Sequence, residues 1–139
     1  MPLRCDILTL RDIPVVACKA HSIPNGIKPA FATIKAKLSQ LEKRQIFGLT
    51  YHAEADPEFF AAVEIFNRRD AARFDLPKIV IPGGRYARAL LPAGPVTPTR
   101  IAKAFRDMRE RYIFDHWRPT IEFYRGSRRP HIYLPIREE

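Results

Sequence analysis

The residues best placed to do chemistry lie in two short runs near the end of the chain. Ile121-Glu122-Phe123-Tyr124 sets a carboxylate two residues from a phenol, and Ile132-Tyr133-Leu134 adds a second phenol. Side chains alternate between the faces of a strand, so Glu122 and Tyr124 share one side. Ile121 and Phe123 are assigned to the core under the helices, with Ile132, Leu134 and Ile136 in the next strand. His131 and Tyr133 then join Glu122 on the opposite face. The same parity in the first half sends Val63 and Ile65 inward. Phe60, Ala62 and Glu64 point outward, beside Leu49 and Tyr51. The candidate ligand-binding set is Glu122, Tyr124, Tyr133, Tyr51, Glu64 and Phe60. Ring faces attract positive charge and a carboxylate neutralises it, so this wall suits cations and amphipathic rings. The competing reading pairs Glu122 or Glu64 with a neighbouring Arg and lets the tyrosines pack.

Other reactive side chains are dispersed. His21, His52, His116 and His131 fall in separate elements, and no pair has metal-ligand spacing. Cys5 and Cys18 match no metal or redox spacing and are read as reduced and structural. No metal site and no cofactor is expected.

The elements that must position these residues follow from periodicity. Ile27, Ala30, Phe31, Ile34, Leu38 and Leu41 make one apolar helical stripe; Ile101, Ala104, Phe105, Met108 and Tyr112 make another. Thr97 before Pro98 is a start signal for the second: a capping hydroxyl, then a proline whose missing N–H costs nothing. Strands are expected over 13–20, 46–52, 59–66, 78–91 in two runs broken at Pro82, Gly83 and Gly84, 120–125 and 132–136, the last after a turn around Gly126. Polar stretches around Glu54 and Asp70 read as a loop and a junction. The order strand-helix-strand-strand occurs twice. Ile27 aligns with Ile101, Phe31 with Phe105, Tyr51 with Tyr124 and Val63 with Leu134. Two βαββ units, about 1–70 and 71–139, predict an α+β domain over 1–139. Its expected form is one curved antiparallel sheet with two helices on one face and a ligand cleft on the other. Phe31 and Phe105 are expected in equivalent core sites.

Composition bounds the class. A chain of 139 residues, 46% hydrophobic and 28% charged, fits one globular domain. No apolar stretch reaches the ~18 residues of a membrane span, and no signal-peptide pattern opens the chain, so a cytoplasmic protein is expected. Lys and Arg total 24 against 15 acids, a net charge of +9. That excess raises nucleic acid as a partner. The basic residues are scattered, without a zinc spacing or continuous basic tail, so any such contact is expected to be weak and salt-sensitive.

The chain resembles the GyrI-like small-molecule-binding domains, which also serve as effector-binding domains of AraC- and MerR-type multidrug-sensing regulators. The resemblance is carried by Ile81-Pro82-Gly83-Gly84-Arg85-Tyr86-Ala87, Ile121-Glu122-Phe123-Tyr124 and Ile132-Tyr133-Leu134-Pro135-Ile136. With the duplicated βαββ order it covers nearly the whole chain. It implies a ligand cleft between the two halves, away from the helices, with Glu122 as its glutamate. Two family features are absent. Ser22, Ile23, Pro24, Asn25 and Gly26 stand where a basic–Gly–Pro turn is common, and His131 stands where the last strand often begins with glutamate. No helix-turn-helix precedes the domain in this chain, so a direct transcription-factor role is not expected.

Three functions compete. The leading one is a stand-alone binding module for amphipathic, aromatic or cationic small molecules. The second, allowed by the resemblance, is a hydrolase of strained electrophiles, with Glu122 positioning or deprotonating a water and Tyr124 or Tyr133 donating to the leaving group. The third is an interaction protein whose basic face, at the 125–129 turn and the 100–111 helix, meets nucleic acid or an acidic partner such as a topoisomerase.

Overall fold

The computed structural model describes residues 3–38, 44–52, 56–124 and 129–137. Its strands are β1 (Cys5–Leu10), β2 (Ile13–Lys19), β3 (Ile46–Tyr51), β4 (Glu58–Glu64), β5 (Lys78–Ile81), β6 (Gly84–Leu90), β7 (Thr120–Tyr124) and β8 (His131–Pro135). Its helices are α1 (Ile27–Ala36), α2 (Arg68–Phe74) and α3 (Pro98–Arg109). All eight strands form one antiparallel sheet in the order β1-β6-β8-β7-β3-β4-β2-β5. Reading outward from the central β3–β7 pair, each side runs through two further strands of its own half, β4-β2 and β8-β6.

The sheet curls because its edges share one apolar cluster. Ile81 of β5 and Val15 of β2 pack with Tyr86 of β6 and with Phe47, Leu49 and Ile121 from the middle strands. A tight connection enforces this closure. Gly84 has φ +127°, a region open to glycine, and its neighbour Gly83 donates its N–H to Asp12 Oδ1 at 2.6 Å. A Cβ at Gly83 would lie 2.6 Å from the Leu10 carbonyl oxygen, which explains why a second glycine is needed there.

Both long helices pack on one face, each over its own half. Ala30 and Ile34 of α1 meet Ala61 and Val63 of β4. Ile101, Ala104 and Met108 of α3 meet Ile132 and Leu134 of β8. The Thr97 hydroxyl accepts from the Arg100 N–H at 3.2 Å with Pro98 in the first turn, the start expected for α3. Helix α1 stops at Ala36; Leu41 of its stripe and the Gly126 turn lie outside the described residues. Two elements have no counterpart in the periodicity reading: edge strand β1, and α2, which Asn67 caps by accepting from the Asp70 N–H.

Register corrects one face assignment. Glu122 stands opposite Gly48 on one side and Ile132 on the other, while Ile121 stands opposite Tyr133. Ile132 packs under α3, so Glu122 and Tyr124 lie on the helix face, and Ile121 and Phe123 on the far one. The far face is not open: the curl buries Phe47, Leu49, Tyr86 and Ile121 to 1% exposure or less. Side chains on both faces of β7 are buried or half-buried, so apolar character did not report which side the helices occupy.

Candidate functional site

The helices leave the central strands uncovered between them, and the cleft is there, on the helix face rather than the opposite one. Its volume is about 1650 Å³. Register builds the floor: Ile46 pairs with Tyr124 and Thr50 with Thr120 across the β3–β7 seam, and Phe59 stands beside Thr50 on β4. The walls follow helical spacing. Ile27, Phe31 and Lys35 line one side from α1, and Ile101, Phe105 and Arg109 line the other from α3. Phe31 and Phe105 take matching places on the two walls, Phe105 buried in the core cluster under α3 and Phe31 half-buried against the cluster under α1.

Glu122 sits in the floor at 8% exposure. The Tyr124 hydroxyl donates to its Oε1 at 2.5 Å. Burial pushes the Glu122 carboxyl above the ordinary carboxylate range, and that hydrogen bond only partly opposes it. Burial, together with the carboxyl beside it, raises the Tyr124 phenol strongly. The phenol therefore keeps its proton across the physiological range. Phe31 stands edge-on to Tyr124 at 5.5 Å and to Phe59 at 5.7 Å, so an aromatic corner encloses the carboxyl.

Room for that carboxyl comes from Gly48. A Cβ there would fall 2.9 Å from the Phe59 ring and 3.2 Å from Glu122 Oε1. A glycine inside an otherwise apolar strand was the available signal for such a close approach. Further along the floor, His52 Nε2 lies 3.4 Å from the Thr120 hydroxyl. Burial and then the charge of Arg109 push its imidazole down to about 4, so it is neutral at pH 7.

Of the six expected site residues, the structure brings Glu122 and Tyr124 together in the cleft. Tyr51, Phe60 and Tyr133 pack on the far face, Tyr51 edge-on to Phe60 at 5.7 Å and Tyr133 edge-on to the buried Tyr86 at 6.4 Å. Glu64 accepts the Gln45 N–H at 3.1 Å and is used locally. No Arg pairs with Glu122 among the described residues. Phe31, Phe59, Gly48, Thr120 and His52 enter the site unpredicted. No group of His, Cys, Asp and Glu suited to a metal occurs among the described residues, and no described helix is long and apolar enough to cross a membrane.

A curled antiparallel sheet whose two helices flank an open seam defines an α+β class with solved representatives. The EcmrR C-terminal domain matches at TM-score 0.66 and 14% identity, covering 100% of both chains. SAV2435, solved bound to tetraphenylphosphonium, matches at TM-score 0.65 and 14% identity over 97% of this chain and 94% of that one. A hydrolase from Listeria innocua matches at TM-score 0.60 and 12% identity over 99% and 94%. At these identities the likeness is one of fold, and it agrees with the GyrI-like resemblance of the sequence. No protein-family model matches the chain, and no curated protein matches it in sequence.

Proposed function

We propose that this chain is a small-molecule-binding module of the GyrI-like family, a single domain over 1–139 made of two βαββ units, about 1–70 and 71–139. Its ligands are amphipathic, with an aromatic body and a cationic or hydrogen-bond-donating group. The observation that carries this reading is the buried Glu122–Tyr124 pair in the floor of a large aromatic cleft. A carboxyl there accepts a donor or meets a cation in a place where water competes poorly. The solved complex of SAV2435 with a lipophilic cation supports the ligand class, and the outward strand order on either side of the β3–β7 seam supports the duplication.

The test is a titration with tetraphenylphosphonium and a panel of cationic and neutral aromatic dyes. Glu122→Gln keeps the shape and removes the charge. It is expected to weaken cationic and donor-bearing dyes by ~1–3 kcal/mol, the range for a hydrogen bond to a charged group. Equal affinities of both proteins for every dye would overturn the site, and failure of all dyes to bind would overturn the module.

The Tyr124–Glu122 hydrogen bond favours a second reading, a hydrolase of strained electrophiles. Glu122 in its ionised form takes a proton from water as the water attacks, and Tyr124 donates to the leaving group. The Listeria innocua hydrolase supports it at the level of fold. Product formation from an electrophile panel, lost in Glu122→Gln, would separate turnover from binding. The basic-surface reading is weakened at Arg100 of α3 and at Arg111 just beyond it. Arg100 is engaged by the carbonyls of Pro92, Ala93 and Pro95, and Arg111 by that of Leu3.

A further inference from the structure

The cleft has a charge asymmetry that its aromatic floor does not explain. Lys28 and Lys35 stand on the α1 rim, Arg106 and Arg109 on the α3 rim. A fifth cation, Arg44, also lines the cleft, but Asp70 holds it at 2.7 Å and at nine-tenths burial of both side chains. Among the described residues, no ion pair reaches Lys28, Lys35, Arg106 or Arg109. The one acid among the described lining residues is Glu122, buried in the floor and shifted toward its neutral form.

Arg109 adds an independent observation. Its guanidinium lies over the Phe114 ring at 4.2 Å, and Phe114 stands edge-on to His52 at 5.5 Å. Burial lowers the Arg109 pKa, and its charge contributes to lowering His52. Nearby carboxylates would reverse both effects. A rim cation held over a ring and without an ion-pair partner among the described residues is a ready seat for an anionic group on a bound molecule.

We propose that the ligand of this cleft also carries an acidic group, a carboxylate, sulfonate or phosphate, seated on Arg106 and Arg109 while its aromatic body rests on Phe31 and Phe59. This rests on the reading of the cleft as a binding site. It narrows the ligand to an aromatic molecule with a donor at one end and an acid at the other. Arg suits the acid end, since its planar fork matches the oxygens of such groups.

Two dyes test this directly. Anilinonaphthalene sulfonate and uncharged phenylnaphthylamine share an aryl N–H donor and an aromatic body and differ by the sulfonate. At low salt the sulfonate is expected to bind about three- to tenfold more tightly, with the ratio narrowing as salt rises. Replacing both Arg106→Gln and Arg109→Gln should bring the ratio close to one. Both side chains are exposed, so folding should survive; the single Arg106→Gln, with about half the effect, is the fallback. Lys78→Gln, on β5 away from the cleft, is the control. If phenylnaphthylamine binds and the wild-type ratio is one, the acid seat is wrong and the binding module stands. If Lys78→Gln lowers the ratio as much as the arginine variants, the preference belongs to the net charge and the proposal falls. If neither dye binds, the cleft reading falls and takes the acid seat with it.

Discussion

The far face of the sheet carries more aromatic residues than the helix face, and the two have opposite fates. On the far face, Phe47, Tyr86 and Leu49 are closed over by the curl of the sheet itself, at 1% exposure or less. On the helix face, α1 and α3 each cover their own half and leave the β3–β7 seam between them open. A sheet that folds back on itself seals whatever it carries. A sheet covered by two separate helices keeps a gap as wide as the helices stand apart. Aromatic content therefore marks neither face as a site; the element that covers it does.

The sharpest way to break this comparison is to truncate a ring on each face. Phe47→Ala should cost ~3–5 kcal/mol in a denaturation titration, as for a fully buried aromatic. Phe31→Ala should cost about 1–2 kcal/mol, since part of its surface already faces the cleft, yet it should weaken dye binding where Phe47→Ala does not. Equal stability losses would mean that the helix face is as closed as the far one.

Filling the space beside the carboxyl comes next. Gly48→Ala should destabilise by about 1–3 kcal/mol through overpacking against Phe59 and Glu122, and should reduce dye affinity as well. Unchanged stability together with unchanged binding would show that the floor yields freely.

Titration probes the helix face more gently. Glu122 is held above its ordinary value of 4.5, so the native state keeps its proton more tightly than the unfolded chain. Its favourable contribution is complete below pH 4.5 and is lost as pH rises through its folded value. Glu122→Gln should therefore gain on wild type in Tm as pH rises from 4 to 8, with no gap at the acid end. His52 has the opposite sign of dependence, its pKa lowered from 6.5 to about 4. Stability should fall as pH drops from 6.5 toward 4, and His52→Gln should flatten that slope. A His52→Gln variant that keeps the wild-type slope over this window would place His52 in water.

The smallest expected effect is on the far face. Tyr133→Phe should leave dye binding within about 0.5 kcal/mol of wild type, because its ring packs beside Tyr86 and away from the cleft. A larger loss of binding would restore the far face as a site.

The helical stripes, the Thr97 start and seven of the eight strands were legible, because each is written in local periodicity or in a capping residue. Glu122 and Tyr124 were legible as partners because alternation places residues two apart on one side. Which side that was depended on pairing between β7 and its neighbours, and no single strand carries that information. Phe59 was hidden within a run apolar at nearly every position, where parity has no contrast. Strand β1 was missed because it is an edge with one buried flank, and α2 because seven residues give too little period.

The pairing of β1 also has a consequence in time. Cys5 stands opposite Ala89 and Leu10 opposite Gly84, so β1 has its partner in the second half of the chain. As the end strand of the sheet it has no second neighbour. Closing so long a loop costs chain entropy before any ladder bond repays it, so β1 docks late and slows the final step of folding. Until it docks, β6 presents an unpaired edge to other chains, and a truncated form lacking β1 is expected to be the species most prone to self-association.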